Sequence, residues 1–247
     1  MNNLWRRSFL SLTKGVDFHR VIINALFFAG LATLVTVPYF YYLMKTIVRG
    51  DLAGTISGRH HFLPLQLFLL FIVCLLSAVV GFTFGKRYEL PGLGTLQGYK
   101  KDLPWLLIIG AVLMMASYLF FDRYFYLLSP GAYHEEYIYL IAIPFKGAVT
   151  EELILRFGLV TIGVGICRNR YAGVVLVAIF ATLLSIRYFT FIGVDIAFSY
   201  IFVVSVIITF LVNCILGYLF VTRGLAYAMT VKLVYALKYV LVALVMS

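Results

Sequence analysis

Two adjacent glutamates and an arginine lie together inside a long apolar stretch, where charged side chains are costly. They are Glu151, Glu152 and Arg156, within residues 137–164. Glu152 and Arg156 share one face of a helix because they are four positions apart, so we expect a buried ion pair between them. Glu151 points about a quarter-turn away, where a carboxylate can act as a general base. A second interpretation is equally open: an ion pair that only holds helices together.

Three lysines also lie within apolar stretches of the chain. Lys146 comes shortly before the glutamates, and Lys232 and Lys238 lie in the last stretch. We expect Lys146 to reach the membrane interface, because a long basic side chain can bury its stem and keep its charge in water. Charges deep in a membrane are usually paired and face the bundle interior, so Lys232 and Lys238 require counter-charges.

The composition is that of an integral membrane protein. Of the 247 residues, 63% are hydrophobic and 12% are charged, whereas a soluble domain is roughly half apolar and a quarter charged. The apolar stretches are continuous and close to the roughly 20 residues that cross a bilayer as a helix. A membrane β-barrel would instead show short alternating segments. We therefore predict an all-α, polytopic transmembrane helical bundle without a soluble domain.

The apolar stretches predict about seven spans in a single integral membrane domain, residues 1–247. The predicted spans are residues 21–43, 63–85, 104–121, 137–164, 171–186, 196–220 and 225–246. No internal repeat with a period of roughly 20–50 residues is visible. No change in composition marks a boundary between domains.

The net charge is +10, and the basic residues concentrate in alternate loops. Eleven lie on one side of the predicted bundle: Arg6, Arg7, Lys14, Arg20, Lys86, Arg87, Lys100, Lys101, Arg168, Arg170 and Arg223. Five lie on the other side: Lys45, Arg49, Arg59, Arg123 and Arg187. Cytoplasmic loops carry the excess of Lys and Arg, so we expect a cytoplasmic N-terminus and contact with the lipid bilayer. No basic stripe with interleaved aromatic residues favours nucleic acid as a partner.

Neither a metal site nor a cofactor is predicted. The three cysteines lie in or beside apolar stretches without CxxC spacing, as small buried hydrophobic residues do: Cys74, Cys167 and Cys214. The four histidines all lie outside the predicted spans: His19, His60, His61 and His134. Two adjacent histidines in one loop rarely make a metal site alone, and no histidine within a span is available as an axial ligand for haem.

The stretch IPFKGAVTEELILRFGLVTIG, residues 143–163, resembles the EExxxR signature of the CPBP family. That family includes the type II CAAX prenyl endopeptidases and the bacteriocin-processing and self-immunity proteins called Abi. The signature residues in this chain are Glu151, Glu152 and Arg156. They lie in an apolar helix with Pro144 upstream.

Two later stretches extend the resemblance. A following span carries Phe180 at the expected distance, and LGYLFVTRGLAYAMTVKLVYALKYV is similar to the family's glycine, turn and final helix. The resemblance implies a CPBP-like core over residues 137–246. Before Tyr137 the likeness is only one of hydropathy.

The histidine motifs of the family are absent from this chain. The family's second motif is Phe-xxx-His, whereas Phe180 is followed four positions later by Leu184. The third motif is His-xxx-Asn, and Lys232 and Ala236 stand in its place. The family's proteolytic site is understood as a glutamate with histidines, and an Asn or His polarises the scissile carbonyl. No histidine follows His134, so a shift in register cannot supply one.

The family fold would place the last helix opposite the fourth, so that Lys232 points at Glu151 or Glu152. We expect Lys232 within salt-bridge reach of one of them, because we count these two glutamates as the only acidic residues inside the predicted spans. Such a pair would fill the former catalytic pocket. The opposing interpretation is a Glu/Lys site with different chemistry, in which Lys232 donates to an oxyanion.

Three functions follow from these residues. The first is a non-catalytic CPBP-like membrane protein that binds or stabilises a membrane-protein partner or a peptide. The second is an active intramembrane glutamate endopeptidase with a rearranged site, retaining Glu151, Glu152, Arg156 and Lys232 as catalytic residues. The third is a transporter or permease subunit, against which no inverted repeat is visible. The resemblance also implies a bacterial-type plasma membrane as the location.

Overall fold

The structure is a computed structural model that describes residues 17–49, 59–128, 137–191 and 200–246. All regular structure in these ranges is helical, which confirms the predicted all-α class. The α-helices are α1 (Phe18–Arg49), α2 (Arg59–Phe84), α3 (Leu96–Ser117), α4 (Arg123–Leu128), α5 (Tyr137–Phe145), α6 (Thr161–Cys167), α7 (Arg170–Phe191), α8 (Tyr200–Arg223), α9 (Leu225–Ala236) and α10 (Lys238–Met246). The π-helical segments are π1 (Tyr118–Asp122), π2 (Lys146–Glu151) and π3 (Leu153–Val160).

The π-helical segments join short α-helices into longer rods. Helix α3 continues through π1 into α4, and α5 continues through π2 and π3 into α6. The C-terminal stretch is broken instead, because α9 ends at Ala236 and a turn at Leu237 precedes α10. Single π-helical turns inside α-helices are rare and frequently occur at functional sites. The two rods with π segments are therefore the first places to look for one.

Five helical stretches are long and apolar enough to cross a membrane, as in an integral membrane protein. They are Phe18–Tyr42, Leu63–Phe84, Gln97–Leu127, Tyr200–Arg223 and Leu225–Val245. The helix over Arg170–Ile186 is apolar but shorter. The rod made of α5, π2, π3 and α6 contains the predicted signature residues and Lys146, so its apolar run is interrupted by charge. The described residues thus form a helical membrane bundle with five helices that are long and apolar enough to cross a membrane. The number of seven spans stays a prediction.

The predicted spans overlap the observed helices but differ from them at their ends. The third prediction, residues 104–121, is the least accurate, because the observed stretch Gln97–Leu127 extends beyond both of its ends. The predicted start of the sixth span at residue 196 lies outside the described residues. The last predicted span, residues 225–246, matches the apolar stretch Leu225–Val245, which is made of the two consecutive helices α9 and α10.

Large apolar side chains cover the outside of the bundle, and charges lie inside it. Five apolar side chains among the described residues are more than two-thirds exposed: Leu34, Trp105, Leu127, Ile166 and Leu244. Asp122, Glu152 and Arg156, in contrast, are at most 1% exposed. An apolar surface can contact lipid tails without a cost in free energy, whereas a charge within the hydrocarbon needs a partner inside the protein. This distribution of residues suits a bilayer.

Small residues bring the helices into close contact, as is usual in membrane bundles. Ala25, Ala29 and Ala32 of α1 are completely buried, and α1 packs along α2. At the contact between α6 and α7, Gly173 lies against the backbone of Val164, so that a Cβ atom at Gly173 would overlap it. Close backbone approach at this point fixes the position of the rod that contains the signature residues.

Connections at one end of the bundle are tied together by ion pairs. Arg170 at the start of α7 contacts Glu89, between α2 and α3, with 3.0 Å between Nη2 and Oε2. Arg223 at the end of α8 contacts Asp102 of α3, with 3.2 Å between Nη1 and Oδ2. The connections α2–α3, α6–α7 and α8–α9 therefore lie at the same end.

Replacing Gly173 by alanine should destabilise the protein by about 1–3 kcal/mol, because the new methyl group meets backbone that cannot move aside. The matched control is Gly30→Ala in α1, where a Cβ atom has nothing within 4 Å. Thermal unfolding in one detergent compares the two variants. A melting temperature of Gly173→Ala equal to that of Gly30→Ala would contradict the close contact between α6 and α7.

Candidate functional site

A cavity of about 530 Å³ lies among the helices of the bundle. Its volume is within the range of small-molecule sites in proteins. The polar side chains that line it include Tyr39, Ser117, Asp122, Lys146, Glu151, Thr209, Asn213, Lys232, Tyr235, Lys238 and Tyr239. Apolar residues such as Leu155, Leu184 and Ile208 complete the wall. The cavity is therefore both polar and apolar, and it brings together residues from distant parts of the chain.

The predicted ion pair between Glu152 and Arg156 is confirmed. The Arg156 Nε donates to Glu152 Oε2 at 3.1 Å, and the two side chains are 1% and 0% exposed. The Arg156 Nη2 also donates to the Asn213 Oδ1 at 2.6 Å, which links this pair to α8. Asn213 was not among the predicted site residues, because an amide in an apolar helix gives no sign of its partner in the sequence. Through Asn213 the pair reaches the cavity wall.

The predicted contact between the last helix and the glutamates is also confirmed. Helix α9 packs against π2, and Lys232 Nζ lies 3.0 Å from Glu151 Oε2. Both side chains line the cavity, so the pair does not fill the pocket as predicted but forms part of its wall. The partner of Lys232 is thus Glu151, while Glu152 is bound to Arg156.

Lys146 does not extend to the membrane interface as predicted. Its Nζ donates to Glu151 Oε1 at 3.0 Å, so one carboxylate is bound by two lysines, one on each oxygen. The Lys146 ammonium also lies 4.3 Å from the centre of the Tyr39 ring, which is close enough for a cation–π interaction. Glu151 therefore has a second cationic partner besides the predicted Lys232.

The π-helical turn explains why Lys146 meets Glu151. In an α-helix, positions five apart point about 140° away from each other, so α-helical periodicity separates these two side chains. The hydrogen bonds of a π-helix join positions five apart and bring such side chains to the same side. Pro144 lies just before π2. Its missing N–H removes one hydrogen bond and weakens the α-helical pattern where the π turn begins.

Asp122 is a buried acidic residue that lies outside the predicted spans. It is completely buried, and its Oδ1 lies 3.0 Å from Lys238 Nζ. The prediction that the two glutamates are the only acidic residues inside the spans is therefore wrong. Its cause is the third predicted span, which ended at Phe121, whereas the helical rod continues through π1 and α4. A third predicted span that continued to Leu128 would have included Asp122.

Ser117 completes the arrangement around Asp122. Its hydroxyl donates to Asp122 Oδ2 at 2.6 Å and accepts a hydrogen bond from Lys238 Nζ at 3.0 Å. Ser117 and Asp122 are again five positions apart, at the two ends of the π1 turn. A serine–lysine pair can serve as nucleophile and base, but only a neutral lysine can accept the serine proton. Here Lys238 Nζ contacts Asp122 as well as Ser117, so the three side chains form one buried cluster.

The described residues contain no group of three His, Cys, Asp or Glu side chains that could hold a metal ion. The carboxylates inside the bundle contact lysine or arginine instead. The three cysteines are free thiols. His134 lies outside the described residues, and His19 is exposed near the start of α1. The side chains of His60 and His61 also lie outside the described part.

No family model, curated protein or solved structure matches this chain. The likeness to the CPBP signature therefore depends on the motif residues of the chain itself.

Lys238→Met should destabilise the protein by about 3–5 kcal/mol, because it leaves Asp122 as a buried charge without its cation. Lys232→Met should cost less, since Glu151 keeps Lys146. The double change Lys238→Met with Asp122→Asn should recover part of the loss, because replacing both partners of a buried pair can be nearly neutral.

Unfolding in one detergent ranks the three variants. Equal losses for Lys232→Met and Lys238→Met would contradict the sharing of Glu151 between two lysines. If the loss of stability in the double mutant equals the sum of the losses in the two single mutants, the pairing of Lys238 with Asp122 is contradicted.

Proposed function

We propose that this chain is a non-catalytic, CPBP-like integral membrane protein that binds or stabilises a membrane-protein partner or a peptide. The observation that carries the proposal is the environment of Glu151. Its two oxygens contact Lys146 and Lys232, each at 3.0 Å. A general base must hold a water and take its proton, and a water at Glu151 would compete with two charged donors. The carboxylate is thus engaged in neutralising charge.

The absence of histidine supports the same conclusion. No histidine follows His134 in the sequence, whereas the family's site uses histidines beside its glutamate. The positions that correspond to its two histidine motifs are Leu184 and Lys232, both on the cavity wall. Loss of a single oxyanion donor typically lowers a rate by about 10²–10³. The loss of several such groups leaves little peptidase activity.

The cavity itself supports a binding function. It is large enough for a ligand or a short segment of a partner, and it offers both charged donors and an apolar wall. Lys146 and Glu151 are partly exposed, at 25% and 36% of their side chains, so an entering group can reach them. A polar cavity inside a membrane bundle is costly to maintain without a function.

The alternative of an active endopeptidase is favoured by one observation. Lys232 lies on the cavity wall beside Glu151, which is the position required of a donor to an oxyanion. In that interpretation Glu151 would exchange a lysine for a water when substrate enters. The peptidase assay described below separates the two functions.

The proposed topology has seven spans, with the rod of α5, π2, π3 and α6 and the helix α7 added to the five long apolar helices. One end of the bundle holds the connections α2–α3, α6–α7 and α8–α9. These connections belong to the side on which eleven basic residues were counted, against five on the other side. That end would face the cytoplasm together with the N-terminus, in a bacterial-type plasma membrane.

Filling the cavity should release the partner. Thr209→Trp introduces a large ring from α8 into the cavity, whereas Ile207→Trp places the same ring on the outer face of α8, where Ile207 is 51% exposed. We expect mass spectrometry of material purified in mild detergent to find a molecule bound to the wild type and to Ile207→Trp but not to Thr209→Trp. Equal recovery with both variants would place the partner outside the cavity.

The same preparations should not cleave a prenylated or a bacteriocin-like peptide above the level of Glu151→Gln. Cleavage by the wild type that disappears in Glu151→Gln would overturn the non-catalytic function, whatever the outcome of the binding experiment.

A further inference from the structure

In the part of the chain that the structure describes, the charges inside the bundle do not balance. Within the described residues, the interior has four cations and three carboxylates: Lys146, Arg156, Lys232 and Lys238 against Asp122, Glu151 and Glu152. Arg156 is paired with Glu152, and Lys238 with Asp122. The excess positive charge therefore lies where two lysines share one carboxylate. We call Lys146, Glu151 and Lys232 the Glu151 cluster.

The lysines of the Glu151 cluster have hydrogen-bonding capacity left over. An ammonium group has three N–H donors. Lys146 and Lys232 each donate one of them to Glu151, at 3.0 Å. Lys146 also lies over the Tyr39 ring, and Lys232 is 5.8 Å from the centre of the Tyr235 ring. A ring face stabilises a cation but does not remove its charge.

The Glu151 cluster is accessible from the cavity. All three of its residues line the cavity, and the side chains of Lys146 and Lys232 are 25% and 17% exposed. The neighbouring ion pair is closed by comparison, since Lys238 is 8% exposed and Asp122 is completely buried. An entering group therefore meets the two lysines that share Glu151 more readily than it meets Lys238.

We infer that the Glu151 cluster binds one oxyanion, a carboxylate or a phosphate group, between Lys146 and Lys232. A single negative charge would bring the interior to neutrality, and charge-assisted hydrogen bonds to both lysines would hold it. Two cations that share one carboxylate leave a net positive charge, which is costly within a membrane, so the anion relieves a penalty that these contacts leave in place. The inference goes beyond the proposed function, because it names a charged group that the cavity receives.

The rest of the cavity wall indicates how such an anion is carried. Leu155, Leu184, Ile208 and Val212 line the cavity together with the charged residues. An apolar wall beside a cationic cluster suits an amphiphile, whose charged group binds the lysines while its hydrocarbon contacts the leucines and isoleucine. A free phosphate ion has the same charged group without the hydrocarbon. The two sources share one chemistry, and they can be separated with suitable probes.

The test measures the melting temperature of the full chain in a neutral detergent with added probes. The amphiphilic probes are oleate and dioleoyl phosphatidic acid, with oleyl alcohol and dioleoylglycerol as matched neutral controls. The free anion is inorganic phosphate, with chloride at equal ionic strength as its control. A probe at about a hundred-fold excess over its Kd should raise the melting temperature of the wild type by about 5 °C or more.

Variants then assign the effect to the Glu151 cluster. Lys146→Met and Lys232→Met each remove one donor and the excess charge, so each should weaken binding of the anion about ten-fold or more. Glu151→Gln leaves both lysines and should bind at least as tightly as the wild type, with the anion restoring much of its lost stability. The matched control is Lys101→Met, which removes a positive charge from an exposed position in α3.

The outcomes separate the sources of the anion and decide the inference. A shift with the amphiphilic anions alone assigns a lipid or fatty-acid headgroup, and a shift with inorganic phosphate assigns a free anion. No shift with any anion overturns the inference, and so does a shift in Lys146→Met and Lys232→Met that is as large as the shift in the wild type. If these variants do not fold, a Glu151→Gln protein that anions fail to stabilise overturns it. Peptidase activity would contradict the proposed function while leaving an observed anion shift intact.

Discussion

The arrangement of this bundle depends on one constraint, that a charge inside a membrane protein needs an opposite charge close to it. Two π-helical turns meet that constraint. The π1 turn brings Ser117 to Asp122, and the π2 turn brings Lys146 to Glu151. In both cases the partners are five positions apart, a spacing that an α-helix would direct to different faces. Without these turns, Lys146 would point away from Glu151, and the polar cavity would lose part of its wall.

The remaining contacts extend this local geometry across the bundle. Helix α9 supplies Lys232 to π2, and α10 supplies Lys238 to π1, so the broken C-terminal stretch contacts both π-helical rods. Helix α8 supplies Asn213 to Arg156. Each of these contacts crosses between helices far apart in sequence. These polar contacts inside the bundle thus join the two rods with α8, α9 and α10. The surface of the bundle remains apolar toward lipid.

This arrangement resembles a catalytic site in its residue types but uses them differently. A glutamate and two lysines line a cavity, and the buried Glu152–Arg156 pair is linked to its wall through Asn213. The carboxylates nevertheless contact cations that hold them in place. The same features that reduce the capacity of Glu151 for proton transfer leave one positive charge in excess. We propose that this site receives an anion and does not activate water.

Several contacts were predictable from the sequence because they follow simple rules. The pair of Glu152 and Arg156 follows from their spacing of four, and the contact of Lys232 with Glu151 follows from the need for a counter-charge. The contact of Lys146 with Glu151 was missed because it depends on a π-helical turn. In an α-helix the two side chains would point to different faces. Asp122 was missed because hydropathy placed the end of its span too early.

Other features depend on tertiary structure and have no local signal in the sequence. The break between α9 and α10 at Leu237 falls in a continuous apolar stretch, where neither proline nor glycine marks it. The bond from Arg156 to Asn213 joins residues on separate helices, so only the packing of α8 against the rod reveals it. Sequence patterns therefore predict the membrane bundle and two of its ion pairs, but not the cavity.

The most direct test of this account is a measurement of the distances around Glu151 in the membrane. Solid-state NMR of protein in lipid bilayers, with ¹³C in the glutamate carboxyl groups and ¹⁵N in the lysine amines, detects dipolar coupling between the two. The account predicts that Glu151 is coupled to two lysine nitrogens, one lost in Lys146→Met and the other in Lys232→Met. Coupling to neither lysine, with both nitrogens more than about 6 Å from the carboxylate, beyond the range at which charges interact strongly, would contradict it.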